Sequence, residues 1–166
     1  MSERPSDQER LQALLDHSYR DAGAHLASVH APERRMSAAD IAARLQGVRV
    51  FAVATTTADG RPIARPLDGL LYRGDLWVGS SPDSLLVRHL RARPEVSAVH
   101  TEGEHLAVTV HGTAGLMSPA ERATMGFDDL CREVYGPEWS EWGAPAAYAR
   151  VEARRMYAFS MEGGGG

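Results

Sequence analysis

The chain has 166 residues, 43% hydrophobic and 24% charged, which is one domain's worth of an ordinary globular protein. Eighteen basic residues against 22 acidic ones leave a net charge of −4, which argues against a general nucleic-acid binder. No apolar run approaches the ~20 residues of a membrane helix, and MSERPSDQER lacks the apolar stretch of a signal peptide. A cytoplasmic protein with no membrane partner is expected.

Residues 1–5 are expected to fray. Ser6-Asp7-Gln8-Glu9 has the capping-box pattern, and Leu11, Leu14, Leu15, Tyr19, Ala22, Leu26 and Val29 follow at helical spacing. This predicts a helix from about 7 to 29, with Gly23 weakening or dividing it. Ala31-Pro32 ends that segment. Ser37-Ala38-Ala39-Asp40 then starts a short helix with Ile41 and Leu45 inward and Gly47 at its C-terminal cap.

Residues 50–57, rich in valine and threonine, read as the first strand, closed by an Asp59-Gly60 turn. Residues 61–71 form the second, Arg73-Gly74-Asp75 the next turn, and residues 76–80 the third strand. Ser81-Pro82-Asp83-Ser84 opens a helix over 83–92, which Arg93-Pro94 breaks. Residues 96–101 and 105–114 are strands four and five, joined by Glu102-Gly103-Glu104. Ser118-Pro119-Ala120-Glu121 starts one helix carrying Met125, Leu130 and Val134, ended by Gly136-Pro137. A tryptophan-bearing loop at 138–145 leads into a last strand at 149–160.

The chain therefore divides into an N-terminal helical extension (1–36), a mainly β domain with flanking helices (37–162) and a glycine tail (163–166) that is expected to be disordered. Six strands with few helices imply an antiparallel barrel, which hides strand edges.

Every basic residue is arginine, and without lysine no Schiff base can form. Cys131 is the single cysteine, so an internal disulfide is impossible. The seven histidines show no metal-ligand spacing, and no metal is expected.

The order of elements from Val50 to Leu90, with DGRP in the first turn and SPDS before the helix, resembles the FMN-binding split-barrel family, the pyridoxamine-phosphate-oxidase-like flavoproteins. The resemblance spans roughly residues 37–160 and implies a six-stranded antiparallel split β-barrel. It further implies a homodimer with the cofactor groove at the subunit interface. The implied activity is an oxidoreductase that uses FMN, or the deazaflavin F420, for hydride transfer with a small-molecule substrate.

In that family an arginine on the second strand and a Ser-Arg-Lys or Ser-x-Lys element opening the helix after strand three hold the flavin phosphate. Arg65 matches the arginine and Ser84 the serine. The implied cofactor-contacting set is Arg65, Pro66, Leu67, Ser80, Ser81, Ser84, Arg88 and Trp142, with no catalytic side chain named. Leu85 and Leu86 stand where the family usually places its basic pair, and Arg88, four residues past Ser84, is the candidate replacement. The same leucines favour an alternative: a split barrel that no longer binds flavin and holds haem or another apolar ligand. A non-redox biosynthetic enzyme on this scaffold is the further alternative.

Other polar and aromatic residues complete the expectations. His89 reads as a polar cap beside the cofactor helix. His100 and His111, on neighbouring strand ends, are candidates to face a pocket. Trp139, Trp142 and Tyr148 read as one aromatic cluster, a stacking surface or a hydrophobic plug. Arg150, Arg154 and Arg155 flank the last strand, one of them a candidate to reach a partner's cofactor site.

Overall fold

A computed structural model describes residues 5–162; of residues 1–5, expected to fray, Pro5 is helical and the rest lie outside the described residues, as does the glycine tail. Helix α1 (Pro5–Arg20) already includes Pro5, so Ser6 and Asp7 lie within its first turn rather than at its cap. The chain leaves the helix at Asp21 and re-enters α2 (Ala24–Val29) after Gly23, whose backbone is extended. The long helix is thus divided at its glycine. Helix α3 (Ala38–Arg44) carries the expected capping box: Asp40 N–H donates to Ser37 Oγ at 3.1 Å, and Ser37 N–H donates to the Asp40 carboxylate at 2.9 Å. Ile41 and Leu45 are buried.

Six strands follow: β1 (Arg49–Thr56), β2 (Pro62–Tyr72), β3 (Asp75–Ser80), β4 (Glu95–Glu102), β5 (Leu106–Met117) and β6 (Ala147–Ser160). They close into a barrel in the order β1-β2-β3-β6-β5-β4, every pair antiparallel. Between β2 and β3 the turn residues Arg73 and Gly74 both have positive φ, 52° and 73°, as a type I′ hairpin requires. Helix α4 (Leu85–Ala92) joins β3 to β4.

After β5 the sequence pattern predicts one helix, but two form, α5 (Pro119–Met125) and α6 (Phe127–Tyr135). Gly126 separates them at φ 73°, and Tyr72 Oη donates to the Met125 carbonyl at 2.8 Å. The tryptophan loop contains a short helix, α7 (Trp139–Trp142).

Strand alternation builds two cores. Inside the barrel, Phe51, Val53, Leu76, Val78, Ala98, Val108 and Val151 pack together, joined by Leu11 and Leu15 of α1. Outside it, Leu70, Tyr72, Trp77 and Tyr148 are covered by Phe127, Leu130, Cys131 and Trp139. Strand β3 is therefore buried on both faces, with Trp77 stacked on Phe127 at 4.1 Å between centroids.

The barrel is split because β3 has 6 residues and β6 has 14. Strand β3 pairs with β6 only from Ala147 to Val151, which would leave the rest of that edge open. Helix α1 fills the gap. Ser18 Oγ accepts the Met156 N–H at 2.9 Å, Tyr19 Oη accepts the Ala158 N–H at 3.0 Å, and Met36 N–H donates to the Ala158 carbonyl at 3.1 Å.

Candidate functional site

The β1–β2 register sets Arg65 opposite Val53 and Ile63 opposite Thr55, so Arg65 shares the inner face with Val53 and Thr55. That end of the barrel is covered by α4. Ser84 caps this helix, its Oγ accepting the Val87 N–H at 3.3 Å, and the cap orients Leu86, Val87 and Leu90 toward the protein interior. Leu86 is 2% exposed and belongs to the barrel core, whereas Leu85 is 41% exposed at the rim. Only one of the two positions where the family places a basic pair therefore faces outward here. Arg88 is exposed one turn further on.

Beneath α4 lies a polar cluster. His89, read from sequence as a polar cap, is a buried interior residue with Nδ1 2.8 Å from Thr55 Oγ1. Arg93, at the C-cap of α4, donates from Nε to the Thr56 carbonyl at 2.9 Å. Burial, followed by Arg65, Arg93 and Arg88, holds the His89 pKa below its ordinary value. Arg65 Nη2 is buried with no hydrogen-bond partner. An unpaired buried donor costs ~1–3 kcal/mol, more when charged, so the open Arg65 donor, on one of three arginines that act on His89, is the feature here that calls for an acceptor.

Sequence reasoning missed Arg93, Thr55 and the role of His89. The inward position of Thr55 was available from its alternation with Phe51 and Val53. Arg93 reads in sequence only as the residue before a helix-breaking proline.

The remaining expected residues divide between two faces. Leu67 lies on the inner face and packs against the core. Ser80 and Ser81 lead into the cap, where Ser84 N–H donates to the Ser81 carbonyl at 3.0 Å. Pro66 is exposed on the outer face of β2. Trp142 belongs to that outer side too: it is 57% exposed and edge-on to Tyr135 at 5.3 Å. Burial, then Asp68 of β2, pushes the Tyr135 pKa up. Within one chain, Trp142 and Arg65 are not brought together.

Trp139 parts company with Trp142, being fully buried with Nε1 donating to Tyr148 Oη at 2.8 Å. The loop between α7 and β6 is held by buried Arg122, which donates to the carbonyls of Ala146 at 3.1 Å and Ala144 at 3.0 Å. Its Nε lies 3.3 Å from the Asp128 carboxylate.

One further expectation is corrected, and two of the arginines flanking the last strand are placed. His100 and His111 do not share a pocket: His100 is buried, with Nδ1 2.9 Å from the Val50 carbonyl, while His111 is exposed beside Ser97 Oγ at 2.8 Å. Adjacent alternation puts 100 inward and 111 outward. Arg150 is bound to Asp75 at 2.9 Å and Arg155 to Asp21 at 2.8 Å, so both are engaged within the chain.

The family model for pyridoxamine 5'-phosphate oxidase matches residues 37–162. The chain belongs to that family. Its barrel is similar to that of a conserved hypothetical protein from Mycobacterium tuberculosis (22% identity over 78% of this chain and 88% of that one, TM-score 0.65). It is also similar to a FAD-binding protein from Mesorhizobium loti (22% identity, 75% and 95% covered, TM-score 0.58). An F420 reductase shares the fold as well (17% identity, 68% and 91% covered, TM-score 0.53). At these identities the likeness is one of fold. No curated protein matches the chain. Among the described residues of this family member no helix is long and apolar enough to cross a membrane.

Proposed function

We propose that this protein is a flavin-dependent oxidoreductase that anchors FMN, or the deazaflavin F420, by its phosphate at Arg65 and acts on a small organic substrate. The observation that carries this reading is the buried, unpartnered Arg65 Nη2, on a residue that acts on His89 together with Arg93 and Arg88. Family membership and the flavin-type names of two fold relatives support it. Two arginines from positions 88 and 93 stand in for the basic pair that 85 and 86 lack. Arg65 binds from the strand side, Arg88 and Arg93 supply charge from the helix side, and Leu85 forms an apolar rim that keeps water from the groove. When bound, the flavin supplies the hydride chemistry, which is why the site needs no acid–base pair of its own.

The reading includes a homodimer. The outer face of β1, β2 and β4 exposes Val50 at 56% and Val99 at 36%, with Ala52, Ala64 and Pro66 beside them. A contiguous apolar strip of this kind marks an interaction surface. A second copy seated there sets Trp142 at the seam, where it can serve the partner's groove rather than its own.

The test is absorbance spectroscopy of the purified protein with added FMN or F420, followed by gel filtration. A flavin or deazaflavin band that co-elutes at dimer mass is the expected result. Protein that elutes colourless after ~100 μM of either cofactor, a range corresponding to weak millimolar-to-micromolar affinity, overturns the reading. It would favour instead the apolar-ligand module suggested by exposed Leu85.

A further inference from the structure

His89 is the one buried member of the arginine cluster that can change its charge. It is 5% exposed on α4. Thr55 faces it from β1, Arg65 from β2, Arg88 from its own helix and Arg93 from the C-cap. No carboxylate acts on the ring among the described residues. Three permanent positive charges thus act on one buried imidazole, and one guanidinium nitrogen of the set is unpaired. Burial and those cations keep the proton off the ring. A doubly negative group set among them reverses the field.

We propose that His89 takes up a proton when a phosphate monoester binds this cluster, and so becomes a fourth cation holding it. The proton comes from the buffer and leaves N–H on both ring nitrogens, one of them held by Thr55 Oγ1. The inference rests on the phosphate location given under the proposed function, and it names the ligand class more narrowly. A terminal monoester carries close to two negative charges at neutral pH, and a diester carries one. The cluster therefore selects FMN over flavins and deazaflavins whose phosphates are diesters.

Calorimetric titration of FMN in two buffers of different ionisation heat, at about pH 7 where histidine titrates, reads the protons exchanged. Riboflavin, which lacks the phosphate, is the control, and His89→Asn keeps a polar atom near Thr55 without a titrating ring. FMN's own phosphate can only release protons, so wild type minus variant isolates His89. The expected difference is net uptake of about half a proton for FMN and none for riboflavin, with FMN affinity rising about fivefold from pH 8 to 6.5 only in wild type.

Equal proton exchange in wild type and His89→Asn overturns the inference while leaving flavin binding standing. If neither FMN nor F420 binds, the flavin reading falls. The His89 ring resonances, followed by NMR during titration with inorganic phosphate, then decide the inference separately. An unmoved His89 titration curve overturns it, and an upward shift sustains it.

Discussion

Tyr19 stands beside Ala158 as a neighbouring strand residue would. Its hydroxyl accepts the Ala158 N–H at 3.0 Å and donates to the Ala158 carbonyl at 2.8 Å, with His30 Nδ1 2.9 Å from the same oxygen. Tyr19→Phe removes these bonds while keeping the ring, and leaves the Ala158 N–H facing a void. The expected cost is ~1–3 kcal/mol, read as a lower urea midpoint at unchanged slope. An unchanged midpoint would show that the β6 edge finds other partners.

Acid should destabilise the fold through two histidines. Burial, then Arg35, lowers the pKa of His30 from 6.5, and burial, then the arginine cluster, lowers that of His89. For a base with a depressed folded pKa, the unfolded chain binds the extra proton first. Stability is therefore full above the unfolded value and drains away as pH falls through 6.5 toward the folded values. The urea midpoint should be level from about pH 8 to 7 and decline below that. His30→Gln should flatten part of the decline, and a midpoint that rises on acidification would contradict the assignment.

Arg65→Met should move stability and binding in opposite directions. Removing a buried donor that lacks an acceptor leaves the unliganded fold as stable or more so. FMN affinity should fall ~10- to 100-fold with the lost charge-assisted contact. Thermal midpoints with and without FMN give both numbers; a variant that binds FMN normally removes Arg65 from the site.

Leu85 and Leu86 separate by exposure, 41% against 2%. Leu85→Lys places a cation at the rim and should raise FMN affinity severalfold, with little effect on stability. Leu86→Lys buries an ammonium in the barrel core and should cost several kcal/mol or prevent folding. Equal behaviour of the two variants in fluorescence titration and denaturation would refute the placement of α4.

Charge on the outer strip should divide the proposed dimer. Val99→Glu with Val50→Glu is expected to halve the mass seen by light scattering and to weaken FMN binding together with it. A dimer that persists would move the interface elsewhere.

Much of this architecture was legible in the chain. Period-two runs bounded by Asp59-Gly60 and Arg73-Gly74 give the strands almost to the residue, because a strand with one buried face tolerates no slip. Gly23 and Ser37 act locally and read correctly. The break at Gly126 did not, since the apolar spacing of Met125, Leu130 and Val134 runs on across it. Leu86, Val87 and Leu90 share an apolar face, so the core position of Leu86 was available in the helical pattern. The family motif drew attention from it. What lay out of reach was the meeting of Thr55 with His89, 34 residues apart, because the closure of β1 under α4 is a property of the whole barrel.

Strand β6 closes the barrel against both β3 and β5 and follows every other described element in chain order. During synthesis, helix α1 precedes the strands and can meet α3 and Asp75 early, but its bonds to residues 156 and 158 wait for β6. Until then the core that Leu11 and Leu15 join is incomplete, beside a sheet with two unmatched edges. For this chain, folding waits on its final strand, and a nascent chain halted before residue 147 is an open sheet inviting a neighbour to complete it.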